Sequence, residues 1–216
     1  VLQGGRLTSD GWYRLLNLGF HVTPAAGTDW PYSDFPGVVR NYVDVGGPFS
    51  VDQWFDAFEA GRTFVTNGPL VSLTVNGTGI GRELRVKRGT KLDLVADARL
   101  NPDVDALDRL EIVTLTNVTD SVSAQGKDTV AFRKTIVAER SMWIAVKAYG
   151  ARQDPRNTTI AHSAPVDVVV DDEPTWKREA VPEIVAELRD RLQRILTDPQ
   201  DTPISGNEPW ETRLTL

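Results

Sequence analysis

The run Ala25-Ala26-Gly27-Thr28-Asp29 ends a stretch of small residues on a single carboxylate, and Arg40-Asn41-Tyr42-Val43 and Thr66-Asn67-Gly68-Pro69 follow it. A carboxylate where a short strand gives way to a loop is a common means of holding a metal ion or a reacting proton in an α/β scaffold. Asp29 is therefore the leading candidate for chemistry, and Gly27 permits close backbone approach beside it. The same spacing fits a plainer role, because an Asp after Gly-Thr also serves as a turn-forming residue or as the cap of the next segment. Arg40 lies within an apolar strand-like run, where an isolated cation is costly to bury. It is expected to pair with Asp29, Asp34 or Asp44, or else to bind an anion near the site; internal pairing is preferred because it satisfies the burial cost without a ligand. Asn67 belongs to a tight turn that reads as a junction between two domains.

Other chemistries are poorly supplied. His21 and His162 are the only histidines and form neither an H-x-H nor an H-E-x-x-H pattern, so both read as surface or hydrogen-bonded residues. A complete zinc or binuclear site gathers more donors than this chain offers. Absence of cysteine excludes disulfides, thiolate nucleophiles and Cys-based zinc sites. Asn76-Gly77-Thr78-Gly79-Ile80-Gly81 is glycine-rich but leads from strand to strand, so it reads as a hairpin loop and not as a phosphate cradle. No serine stands in a G-x-S-x-G setting. A net charge of -6 and a pI near 5.0, with scattered basic residues, argue against nucleic acid or an anionic membrane as partner. No run is long and apolar enough for a transmembrane helix.

The elements that must position these residues fall into three texts. Asp10–Phe20 reads as a short helix capped by Asp10 and closed near Gly19, followed by strands at His21–Ala26 and Val38–Val45. Ser50-Val51-Asp52-Gln53 has the capping-box form, with Val51, Trp54, Phe55 and Phe58 at helical spacing behind it, and Thr63–Thr66 leaves as a strand. Residues 1–68 therefore alternate as an α/β unit does. From Pro69 the period becomes two, with Val71, Leu73 and Val75 preceding the Asn76-Gly77 hairpin signal. Strands are expected at 91–99, 109–116, 129–137, 141–149 and 164–170, which together read as an antiparallel β-sandwich over 69–172. Residues 173–216 carry an amphipathic helix of about five turns, with Glu187/Arg191 and Asp190/Arg194 as i,i+4 pairs, and a tail holding Trp210.

In order, Trp12-Tyr13-Arg14-Leu15-Leu16-Asn17-Leu18-Gly19-Phe20, Ala25–Asp29, Arg40–Val43, Ala60–Pro69 and His162-Ser163-Ala164-Pro165-Val166 resemble the C-terminal half of carbaryl-hydrolase-type (CehA/McbA) metallohydrolases, relatives of the PHP phosphoesterases. The resemblance covers most of residues 10–170 and rests on the linked set. It implies an α+β chain: the closing α/β segment of a PHP-like barrel, then an antiparallel β-sandwich and a C-terminal helix. It also implies that Asp29 stands at a late metal-ligand position, with Arg40 and Asn67 beside the substrate. The cofactor implied is a divalent metal, zinc, manganese or iron, acting in hydrolysis of ester, phosphoester or carbamate bonds in a small-molecule substrate. The earlier H-x-H ligands are expected upstream of Val1, so the partner is the upstream part of the same polypeptide and the fragment alone is expected to be inactive. Periplasmic or secreted location follows from the resemblance only. The PHP pattern often places histidine two residues after the aspartate, where this chain has Trp30-Pro31. A reading of a different class is a non-catalytic β-sandwich module for carbohydrate or protein binding, with Trp143, Trp176 and Trp210 as its platform if they lie exposed on one face.

Overall fold

A computed structural model describes residues 2–3, 6–32, 35–152 and 158–197 of the 216. Two compact units divide the chain, Val1–Lys177 and Arg178–Leu216.

The first unit begins with β1 (Leu2–Gln3) and β2 (Arg6–Leu7), then α1 (Asp10–Asn17). Ser9 occupies the N-cap and makes no side-chain cap bond, so the cap lies one residue earlier than Asp10. Gly19, at φ 85°, closes the helix as expected. The strand expected over His21–Ala26 is confined to β3 (Ala26–Gly27), which pairs in parallel with β1. Pro24, lacking a donor, cannot extend that ladder. β4 (Arg40–Val43) is shorter than the span expected. In α2 (Val51–Glu59) the capping serine works as anticipated: Ser50 Oγ accepts from Gln53 N at 3.2 Å.

β5 (Thr63–Thr66) and β6 (Leu70–Val75) flank the Thr66–Pro69 turn. The turn carries the chain from one large sheet to the other, inside the first unit. β6 returns through Asn76 and Gly77, both at positive φ, to β7 (Thr78–Gly79), a two-residue hairpin of the kind Asn-Gly favours. Next come β8 (Glu83–Val86), β9 (Lys91–Arg99), β10 (Leu107–Thr114), β11 (Asn117–Ser123), β12 (Thr129–Val137), β13 (Met142–Gly150), β14 (Ile160–Ser163) and β15 (Val166–Val170).

These strands form a four-stranded sheet, β12-β9-β6-β7, and an eight-stranded sheet ordered β11-β10-β13-β14-β5-β4, with β15 also on β13 and β8 beside β15. All large-sheet pairings are antiparallel except β8 with β15. Alternation on β9 buries Leu92, Leu94, Ala96 and Ala98, which share one apolar core with Leu110, Ile112 and Ile144 of the other sheet. The architecture is mixed α+β and sandwich-like, and no barrel forms among the described residues. Strands β4 and β5, from the segment read as α/β, are continuous with β13 and β14 of the sandwich.

β13 departs from period two because it is buried on both faces: Met142 to Val146 are all buried. Trp12, Tyr13 and Leu16 of α1 join the same core, with the Tyr13 ring 5.1 Å from that of Trp143. In the second unit, a 3-10 turn at Arg178–Ala180 leads into α3 (Val181–Thr197), where Arg194 and Asp190 pair at 2.7 Å as expected. Leu188, Leu192 and Leu196 of its apolar stripe are exposed. Trp210 and the tail lie outside the described residues.

Candidate functional site

Asp29 is exposed and sits two residues beyond β3 at φ 59°, a left-handed conformation that aspartate tolerates better than most residues. Its carbonyl accepts from Tyr32 N at 2.8 Å, closing a turn. Thr28, buried, accepts from Val39 N at 3.4 Å and so ties the Asp29 loop to the entry of β4. Asn41 completes the attachment: its carboxamide donates to Ala26 O and accepts from Ala26 N, both at 2.9 Å, as a neighbouring strand's peptide would. The terminus of β3 is thereby fixed.

Arg40 is half-exposed and forms no ion pair with Asp29 or Asp44; Asp34 lies outside the described residues. Its Nη1 donates to Gly37 O at 3.2 Å and its guanidinium lies 5.9 Å from the Tyr42 ring centre. Its Nε is buried and makes no hydrogen bond, so the carboxylate partner expected from burial is missing among the described residues.

Asn67 is engaged at both ends. Its Nδ2 donates to Thr158 O at 2.8 Å and its Oδ1 accepts from Ile160 N at 2.7 Å, so the side chain prolongs the β5–β14 ladder by one peptide unit. Thr66 Oγ1 seals the same turn, donating to Pro69 O at 2.6 Å and accepting from Gly68 N at 2.9 Å.

His162 is fully buried. Its Nδ1 is 2.8 Å from Ser163 O, and because a carbonyl only accepts, Nδ1 carries the proton. Nε2 is then the acceptor for the Tyr13 hydroxyl at 2.5 Å. Burial holds the imidazole near pKa about 3, neutral at physiological pH, and pushes the Tyr13 phenol up. Neither nitrogen is left for a metal. Behind it, Trp143 Nε1 donates to Asn17 Oδ1 at 2.9 Å, buried, and Asn17 Nδ2 donates to Thr116 Oγ1 at 2.6 Å in the turn between β10 and β11, so α1 is bolted to β13 and to that turn by polar contacts.

His21 is exposed and donates from Nδ1 to Asp167 Oδ2 at 2.9 Å. Burial raises the Asp167 carboxyl, and the His21 charge and hydrogen bond oppose that shift. The reading of His21 passed over this partner. A lone carboxylate inside Val166-Asp167-Val168-Val169-Val170 was the available signal, since a buried strand admits a carboxylate only with a donor beside it.

No group of three or more His, Cys, Asp or Glu side chains gathers among the described residues. Of the predicted site residues Asp29, Arg40 and Asn67, Asp29 carries the one carboxylate that could serve a metal. Trp143 is fully buried and Trp176 half-buried, which makes the first core and leaves no exposed tryptophan platform between them. Compared with known families and curated proteins, the chain matches no family model and no curated sequence.

Proposed function

We propose that this chain is the C-terminal part of a PHP-type metal-dependent hydrolase acting on ester, phosphoester or carbamate bonds, with Asp29 as one metal ligand and an upstream segment of the same polypeptide supplying the others. The observation that carries this reading is the connectivity of the five segments on which the resemblance rests. Residues 12–20 reach 162–166 through Tyr13 and His162; 25–29 reach 40–43 through Asn41; 40–43 pair with 63–66 as β4 and β5; and Asn67 joins the turn after β5 to β14. Segments separated by up to 149 positions thus form one bonded network, as parts of one functional unit should.

Exposed apolar groups in the early part of the chain also support the reading. Phe49, Val51 and Phe55 are 71, 60 and 55% exposed on and before α2, an uncovered face that an adjoining α/β layer would bury. Arg40 and Asn67 hold the walls of the site in shape, and Arg40, with Nη2 free of partners among the described residues, is the better placed to meet an anionic substrate. When bound, the metal would supply a polarising charge and a hydroxide-generating centre. The chain's own contribution is a carboxylate on a rigid strand end.

The test is to purify the polypeptide encoded by the complete reading frame, measure zinc, manganese and iron by mass spectrometry, and assay nitrophenyl esters, a phosphodiester and an aryl carbamate. Bound metal with turnover, both reduced in Asp29→Asn, is expected. A metal-free, inactive full-length protein overturns the proposal.

A further inference from the structure

A cleft of about 260 Å³ opens on the first unit, lined by His21, Thr23, Glu59, Arg82, Pro165 and Asp167 among others. Asp29, Arg40 and Asn67 do not line it. Its floor is built by a close backbone crossing: a Cβ on Gly81 would collide with the Gly61 carbonyl, and Gly81 N donates to Pro165 O at 2.7 Å. Three separate loops are therefore locked around one opening.

The charged groups of the lining divide into satisfied and unsatisfied. Asp167, with its side chain 12% exposed, accepts from His21 and is also held by the Thr175 hydroxyl, while the His21 side chain is 65% exposed. A buried carboxylate thus orients an exposed imidazole and leaves Nε2 as its unused nitrogen. Glu83 is neutralised by Arg85 at 2.6 Å. Glu59 and Arg82 are different: both are exposed on the lining, and neither makes an ion pair or side-chain hydrogen bond among the described residues. Opposite charges on one cleft that do not meet can be bridged by a ligand carrying both signs.

A ligand with one charge fits less well. A simple anion suits Arg82 but faces Glu59, and a simple cation suits Glu59 but faces Arg82. The rest of the wall is apolar, with Leu16, Val22, Pro24 and Ala164 offering a surface for a hydrocarbon group. The volume falls below the roughly 300–1,000 Å³ of pockets for drug-sized ligands, which points to a small metabolite. We infer that this cleft binds a small zwitterion of the free amino acid class, its carboxylate at Arg82, its ammonium at Glu59 and its side chain against Leu16, Val22 and Pro24.

The candidate hydrolase residues Asp29, Arg40 and Asn67 do not line this cleft, so the two readings are tested separately. Calorimetric titration of the purified chain with the common amino acids tests it, with 4-methylpentanoate and isopentylamine as single-charge counterparts of leucine. Expected are saturable binding of at least one apolar amino acid, binding of its single-charge counterparts weaker by about tenfold or more, and a similar loss in Arg82→Gln and in Glu59→Gln. Circular dichroism checks that these two surface variants keep the fold. Absence of saturable binding by any common amino acid overturns the inference, as does equal binding of leucine and 4-methylpentanoate, or affinity unchanged in both folded variants, which would leave His21–Asp167 as a structural clamp only.

Discussion

Acidification should destabilise this protein through His162 before the carboxylates are all protonated. The imidazole is held at pKa about 3 against 6.5 for a free histidine, because burial disfavours the charged ring. Its Nε2 already accepts from Tyr13 and its Nδ1 already donates to Ser163 O, so a second ring proton would face a hydroxyl that has to turn around in a closed space. The folded-state value is depressed, so the unfolded chain takes up the proton first. The contribution of this group is fully present above pH 6.5 and is lost as pH falls from there toward 3. With 1.36 kcal/mol per pKa unit, the loss from this one group amounts to about 2 kcal/mol at pH 5 and about 3 kcal/mol at pH 4. That is a large part of the 5–15 kcal/mol typical of a folded domain.

The assay is urea unfolding between pH 7 and pH 4, followed by tryptophan fluorescence, on the wild type and on His162→Gln. The variant is less stable at pH 7, because it disturbs both buried contacts, but it has no imidazole to protonate. The stability difference between the two proteins should therefore shrink by about 2 kcal/mol on going from pH 7 to pH 5. A difference that stays flat over that range refutes the reasoning. So does a folded-state His162 ring resonance that titrates near its ordinary value.

Three further outcomes follow from contacts described above. Asn17→Ala strands the buried Trp143 N–H and should cost about 1–3 kcal/mol in urea unfolding, with little change in the far-ultraviolet spectrum. Gly81→Ala meets both the Gly61 carbonyl and a φ of 69°, and should cost about 1–3 kcal/mol or more while moving the Gly61 and Arg62 amide resonances. Ser50→Ala removes the acceptor for Gln53 N at an exposed helix start and should cost about 1 kcal/mol, whereas Ser50→Asp should be close to neutral; thermal melts of the three proteins decide it.

The contrast between Ser50 and His162 shows which features the sequence could announce. Ser50 and Gln53 are three residues apart, and Asn76-Gly77 is its own turn, so the chemistry that makes each element is complete within a few positions. Alternation on β6 and β9 was legible for the same reason: one face of each strand meets the core and the other meets water. β14 was not legible, because Ile160-Ala161-His162-Ser163 is buried at all four positions and carries two polar side chains that only distant partners satisfy. Tyr13 lies 149 residues from His162, and Asp167 lies 146 from His21. β8 likewise exists because β15 offers it an edge, and His21–Ala25 fails to become strand because no ladder is offered there. Asp29 combines the two cases. A left-handed aspartate after Gly-Thr is locally the same object whether it only turns the chain or also holds a metal, since both uses require the carboxylate to leave a strand end into solvent. What separates them is the donors that face it, and those are set by which segments pack around β3, not by its neighbours in sequence. Asn41 and Thr28 fix that strand end, a condition that the proposed ligand role requires, since a metal ligand must be held to a fraction of an ångström, and that a plain turn meets equally well.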